Sequence, residues 1–290
     1  MRRLTWLLLI AGLALVPMQS RAADESLRVL PLRTRPVITP GETKADKLEI
    51  RNSGTRPLTI RLSAEQFAVT NEQYDYRFEQ GEKTDWVRFS EPELVLGPGE
   101  QREAAYSIAI PNNAAPGGYY FALFVAGEPA ENSDVIREVK RVASLVYLEV
   151  AGEIKRSGKV LGVEMVGLSL DRSVNYDLRL INQGNSHYDV DTRLKLQNVL
   201  TRQELSTQLT GLLLPGTIRT LSKQFELPPW PGVYQVAGQA SFPGTVQAVP
   251  TRYVVYLPMW VILGLVGVII LIGALIYRRR HRGIKARSLR

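Results

Sequence analysis

Apolar residues alternate with polar ones along most of this 290-residue chain, and the period is two rather than 3.6. Leu48 and Ile50 lead into Asn52-Ser53-Gly54, and Leu58, Ile60 and Leu62 follow, which predicts a hairpin with one buried face. Leu94-Val95-Leu96, the turn Gly97-Pro98-Gly99-Glu100 and a strand through Tyr106, Ile108 and Ile110 come next. Tyr119–Ala126 reads as a strongly apolar strand and Val142–Val150 as the last of the first half, with the polar residues Glu131, Asn132, Ser133 and Asp134 between them. Residues 69–85 are a polar excursion in which Tyr74, Tyr76 and Phe78 recur at every second position, so a short ribbon is expected there.

The second half echoes the first. Leu178, Leu180 and Ile181 precede Asn182-Gln183-Gly184, Leu214-Pro215-Gly216 answers Leu96 with Pro98-Gly99, and Pro231-Gly232 answers Pro116-Gly117. Asn52 stands 46 residues before Pro98, whereas Asn182 stands 33 before Pro215, so the second copy lacks about thirteen residues, roughly the length of the polar excursion. The sequence therefore predicts an all-β fold of two tandem immunoglobulin-like β-sandwiches, residues 24–151 and 158–255, joined across a polar boundary from Gly152 to Gly158. Trp86, Trp230, Tyr119, Tyr120, Phe121 and Phe124 are assigned to the cores.

The two ends break this pattern. Met259–Tyr277 is nineteen residues without a charge, about 28 Å as a helix and enough to cross a bilayer, so 257–277 is read as a transmembrane helix. Residues 278–290 form a basic tail without an acid, which the positive-inside rule places in the cytoplasm. Arg2 and Arg3, an apolar run from Leu4 to Val16 and Ser20-Arg21-Ala22 predict a signal peptide over 1–22. The expected location is the cell membrane, single-pass, with both sandwiches outside the cytoplasm. Setting aside the three leader arginines and the seven basic residues of the tail, 26 basic residues face 28 acidic ones. The formal charge of +8 thus belongs to the ends, and nucleic acid is excluded as a partner. With no cysteine there is neither a disulfide framework nor a thiolate site. No Asn-x-Ser/Thr sequon occurs, in keeping with a bacterial surface.

Ser186, His187, Asp189 and Asp191 crowd one short stretch. Triad members converge from separated segments, whereas neighbours on a strand point to opposite faces, so no catalytic residue is assigned. One histidine ahead of the span and no cysteine leave no zinc set, and no metal or other cofactor is expected. The candidate binding residues are Tyr74, Tyr76 and Phe78: an aromatic ribbon confined to one half suits stacking on sugar faces or anchoring a protein, and otherwise caps the core.

Taken in order, the leader, the Asn-x-Gly turn, Trp86-Val87, Pro-Gly-Glu at 98–100, Pro-Gly-Gly at 116–118 before Tyr119, a second domain with Asn182, Gly184 and Asn185, the span and the Arg-rich tail resemble the WxL-interacting proteins of Gram-positive surfaces. The resemblance implies a first domain that binds peptidoglycan or another wall glycan and a second that binds an envelope protein, both tethered at the membrane. The second domain here is shorter than that pattern. Pilus chaperones also pair two such sandwiches, but they are soluble, and the span stands against them. The expectation is a non-enzymatic membrane-anchored binding or adhesion protein; the alternatives are a cell-wall hydrolase and a chaperone-like structural subunit of an envelope complex. Leu257-Pro258-Met259-Trp260 is not a sortase signal, so the chain is expected to stay in the membrane.

Overall fold

The computed structural model describes residues 27–129 and 139–287, with side chains as far as Arg278. The predicted leader, the polar residues Glu131–Asp134 and the side chains of the tail from residue 279 onward lie outside the described residues. The described chain is mostly β, with one apolar helix at its C-terminal end.

The first half contributes β1 (Leu27–Leu30), β2 (Arg33–Thr34), β3 (Val37–Ile38), β4 (Thr43–Asn52), β5 (Leu58–Val69), β6 (Tyr76–Glu79), β7 (Val87–Phe89), β8 (Glu93–Leu96), β9 (Gln101–Ala109), β10 (Gly117–Pro129) and β11 (Lys140–Val150). One sheet runs β1-β4-β9-β7; the other runs β2-β11-β10-β5-β6, with β3 also on β11 and β8 also on β5. Leu48, Ile50, Tyr106 and Ile108 from the first sheet meet Ile60, Phe121, Leu123, Val146 and Leu148 from the second in one buried core.

The second half contributes β12 (Gly158–Met165), β13 (Leu168–Ser169), β14 (Ser173–Asn182), β15 (Tyr188–Asn198), β16 (Glu204–Leu213), β17 (Ile218–Glu226), β18 (Gly232–Phe242) and β19 (Thr245–Tyr256). Its sheets run β12-β14-β17 and β13-β19-β18-β15-β16. They too share one core, in which Tyr176, Leu178 and Phe225 meet Val190, Leu194, Tyr234 and Val254. Residues 151–157, between β11 and β12, carry no strand. Helix α1 (Met259–Arg287) follows β19 and contains a stretch, Met259–Arg278, that is long and apolar enough to cross a membrane.

The Asn-x-Gly turns are not the hairpin turns expected from alternation. β4 and β5 lie in different sheets, as do β14 and β15, so each turn carries the chain across the core. Alternation reports which side chains face inward but not which sheet a strand joins, and both arms feed one core. The buried asparagine makes the crossing possible. Asn52 Nδ2 donates to the carbonyls of Arg56, Leu96 and Gly97, at 2.7, 3.1 and 3.1 Å, while its Oδ1 accepts from Gly54 N at 3.0 Å. Asn182 repeats the device: Nδ2 reaches Ser186 O at 2.9 Å and Leu213 O at 3.0 Å, and Oδ1 accepts from Gly184 N at 2.8 Å. The amide thus supplies a donor inside each crossing, to the buried carbonyl of Leu96 in one half and to those of Ser186 and Leu213 in the other. The main-chain bonds repeat as well, Asn52 N to Glu100 O and Asn182 N to Thr217 O, so each turn is tied to the next crossing of its own half.

Candidate functional site

The polar excursion folds in two parts with different destinations. Its tip, residues 70–75, is organised by Asn71, whose Oδ1 accepts from the amides of Gln73 and Asp75, both at 3.1 Å. This closes a tight Asx-type turn and places Tyr74 at φ 69°. The turn aims Glu72 and Tyr74 into the second half. Arg179 grips the Glu72 carboxylate through Nε at 2.8 Å and Nη2 at 2.5 Å, Thr220 Oγ1 adds a bond at 2.8 Å, and Thr220 N donates to Glu72 O at 2.8 Å. The arginine first, then the threonine hydroxyl, holds Glu72 below the ordinary carboxylate range. Tyr74 Oη accepts from Leu214 N at 2.8 Å and lies 2.6 Å from Thr217 Oγ1, with the Arg219 guanidinium 4.4 Å over its ring.

Tyr74 is therefore buried between the halves and forms no part of a surface ribbon, because its hydroxyl is a satisfied partner of the second half's backbone. Around it a third apolar cluster gathers Phe67, Ala122, Phe124 and Tyr147 from the outer face of the β10 sheet with Leu212 and Leu214 from β16 and the turn beyond it. The core assignment holds for Phe121, buried in the first core, and for Tyr119, which packs half-buried against that core on Trp86; it is corrected for Tyr120 and Phe124, which face this junction instead, since successive strand residues point to opposite faces. Trp86 packs against the first core, but Trp230 is 69% exposed in the Pro-Pro-Trp-Pro loop and the core position is filled by Tyr234.

The other part of the excursion is β6. Among the described residues it pairs only with β5, at the end of its sheet, and all four of its residues are exposed. Tyr76 and Phe78, each 36% exposed, lean on the junction aromatics: Tyr76 on Phe67 at 5.1 Å, Phe78 on Phe124 at 5.1 Å, and Tyr76 Oη lies 3.2 Å from Tyr147 Oη. The Arg141 guanidinium lies 3.3 Å over the Phe124 ring and also binds Glu65. The result is an aromatic rim with basic neighbours beside a strand edge that no described residue pairs.

On the far side of the junction His187 is buried between the rings of Tyr120 and Tyr147, both at 5.7 Å, and its Nδ1 has no partner among the described residues. Burial, then the charge of Arg35, pushes its pKa down to about 4, against opposing pulls from Glu149 and Asp189. Burial also raises the hydroxyls of Tyr120 and Tyr147 above their ordinary range. The neighbouring residues do not form a catalytic relay: Ser186 Oγ donates to Glu149 at 2.5 Å, and Asp189 takes Arg35 at 2.5 and 3.1 Å. Arg156 likewise closes on Glu149 at 2.8 and 2.6 Å. The hollow these residues line measures about 250 Å³, below the roughly 300–1,000 Å³ of small-molecule sites. Among the described residues no cluster of histidine and carboxylate side chains has the makings of a metal site.

Glu72 and Arg179, which join the halves, were not singled out from the sequence. The available signal was the excursion itself, present in one repeat and missing from the other, but a clasp and a ligand-binding ribbon leave the same trace.

No protein-family model matches the chain, and no curated protein is similar to it. Solved structures with a similar arrangement include a chaperone-tip adhesin complex of CFA/I fimbriae biogenesis, 8% identical with a TM-score of 0.44 over 80% of this chain and 99% of that one. The class 5 fimbriae chaperone CfaA is also 8% identical, at 0.42 over 80% and 99%. The CsuC–CsuE chaperone-tip adhesion subunit complex of Acinetobacter baumannii is 13% identical, at 0.39 over 79% and 97%. At TM-scores under 0.5 these likenesses decide neither fold nor function.

Proposed function

We propose that this chain is a membrane-anchored, non-enzymatic binding protein whose two halves are tandem immunoglobulin-like sandwiches built to one plan, and that it captures another protein of the cell envelope at the β6 edge. The observation that carries this reading is the open β6 edge, where Tyr76 and Phe78 stand half-exposed beside Arg77 and Arg141. Aromatic and arginine side chains around unpaired backbone donors and acceptors are the chemistry of a protein-binding rim, with main-chain pairing for affinity and the aromatics for anchoring. Wall glycan is the lesser reading: Tyr76 and Phe78 would stack on sugar, but each ring is also engaged by a neighbouring aromatic, Tyr76 by Phe67 and Phe78 by Phe124. The clasp supports the tether role, since Glu72, Tyr74 and the junction cluster hold the first half fixed on the second. Helix α1 then spans the membrane, with the sandwiches outside the cytoplasm and the basic tail within it, and keeps the edge at high local concentration near its partner.

A direct test places a photo-reactive phenylalanine analogue at Phe78, at Tyr76 and, as a distant control, at Val95, in the full-length chain in cells. One discrete protein adduct from residues 76 and 78 but not from 95 is expected. Adducts to wall glycan at 76 and 78 would favour the lesser reading, and adducts at all three positions or at none would overturn the assignment of the edge.

A further inference from the structure

Three loops of the second half end beside the point where the chain enters α1. β19 stops at Tyr256 and α1 starts at Met259, so the helix begins within about 10 Å of the last strand residue. Strand register brings Gly232 opposite Tyr256, Leu168 opposite Val255 and Asn198 opposite Tyr234. Main-chain bonds from Leu257 N to Ser169 O, Val199 N to Val233 O and Leu227 N to Arg172 O tie the loops to that same end. Each loop carries a large apolar side chain into solvent: Leu168 and Leu170, Leu200 at 81% exposure, and Trp230 at 69%. Trp260, in the first turn of α1, is exposed as well.

Tryptophan and leucine at loop tips are costly in water and favourable at the headgroup level of a bilayer, where an indole has one apolar and one wet side. The charged residues at this end, Asp171, Arg172, Arg202, Glu204 and Glu226, are of mixed sign, so attraction to anionic lipid is not the drive.

We propose that this end of the second half is a lipid contact: Leu200 and Trp230 insert at headgroup level beside Trp260, into a zwitterionic phospholipid surface, and fix the tilt of the whole clasped pair above the membrane. The inference rests on α1 spanning the bilayer.

The chain has no native cysteine, so a single introduced one takes an environment-sensitive fluorophore uniquely. Full-length Leu200→Cys, Trp230→Cys, Leu265→Cys and Val246→Cys are labelled and reconstituted in phosphatidylcholine nanodiscs, with or without phosphatidylcholine carrying a nitroxide quencher on its acyl chain near the headgroup. Val246 lies at the opposite end of β19, about 30 Å from Tyr256. Loss of emission on adding the quencher lipid is expected at 200, 230 and 265 and not at 246. Loss at 265 with none at 200 or 230 overturns the lipid contact while the span stands. No loss at 265 overturns the span and the contact together. A blue shift at 200 that the quencher lipid leaves untouched means that protein covers the loop, and also overturns the contact.

Discussion

Replacing His187 by phenylalanine should remove a defined part of the protein's acid sensitivity. The folded protein holds His187 neutral down to about pH 4, whereas an exposed histidine takes up its proton near 6.5. Unfolding therefore binds a proton between those values, and stability is full above about 6.5 and declines as pH falls toward 4. Between pH 7.5 and 5.5 the linkage amounts to about 1.4 kcal/mol, rising to about 3 kcal/mol below pH 4. Phenylalanine keeps an aromatic ring between Tyr120 and Tyr147 and carries no proton. The depressed carboxylates Glu72 and Asp189 act in the same direction but lower on the scale, since stability from a lowered carboxylate is lost only as pH falls through its folded value, beneath the ordinary 4.5 and 3.8. The window from 7.5 to 5.5 thus isolates the histidine. Denaturant unfolding of the detergent-solubilised full chain, followed by tryptophan emission at a series of pH values, should show wild type losing about 1.4 kcal/mol more than His187→Phe over that window. Parallel pH profiles for the two proteins would refute the buried, neutral histidine and the junction packing that produces it.

Tyr74→Phe leaves the buried Leu214 amide without its 2.8 Å acceptor and should cost about 1–3 kcal/mol in the same unfolding assay; a change under about 0.5 kcal/mol would show the clasp to be loose. Asn182→Ala strands the carbonyls of Ser186 and Leu213 and should cost about 2 kcal/mol or more, and Asn52→Ala should cost a similar amount in the first half. Gly184→Ala would set a Cβ 2.1 Å from the Lys155 carbonyl oxygen, a backbone atom that cannot swing aside, so thermal unfolding should move to lower temperature by the equivalent of at least about 1 kcal/mol. Tyr76→Ala with Phe78→Ala gives up the ring contacts with Phe67 and Phe124 and should cost about 1–3 kcal/mol, leave the protein folded, and abolish partner capture, measured by co-purification of the crosslinked partner.

The inward faces were legible because alternation is a direct record of burial: Leu48, Ile50, Ile60 and Leu178 are all buried where the pattern puts them. The likeness of the two halves was legible in Asn52 and Asn182, whose side chains each accept from the glycine two residues on and donate to the carbonyl four residues on and to one at the next crossing, with one further bond, to Gly97 O, made by Asn52 alone. Sheet membership was not, because an Asn-x-Gly turn looks the same in sequence whether it closes a hairpin or crosses a core. The site was legible only as a region. Tyr74, Tyr76 and Phe78 share one spacing, yet a left-handed turn at Tyr74 sends that ring to the junction and leaves the other two at the edge. His187 was visible as a lone histidine, but its burial depends on Tyr120 and Tyr147 brought from the other half, and no local pattern encodes a contact between halves. Trp230 misled because large aromatics are usually buried, while the three prolines around it hold a loop that turns it outward.

The central claim is that the clasped pair offers the β6 edge to a protein partner, and hydrogen exchange measures that most directly. With the crosslinked partner identified and purified, exchange of the full chain in nanodiscs is compared with and without it. The account predicts new protection at the amides of residues 76–79, with the amides of Leu214 and Thr220 at the junction slow in both states. Unchanged exchange over 76–79 on saturation with the partner, or protection confined to β16, would contradict it.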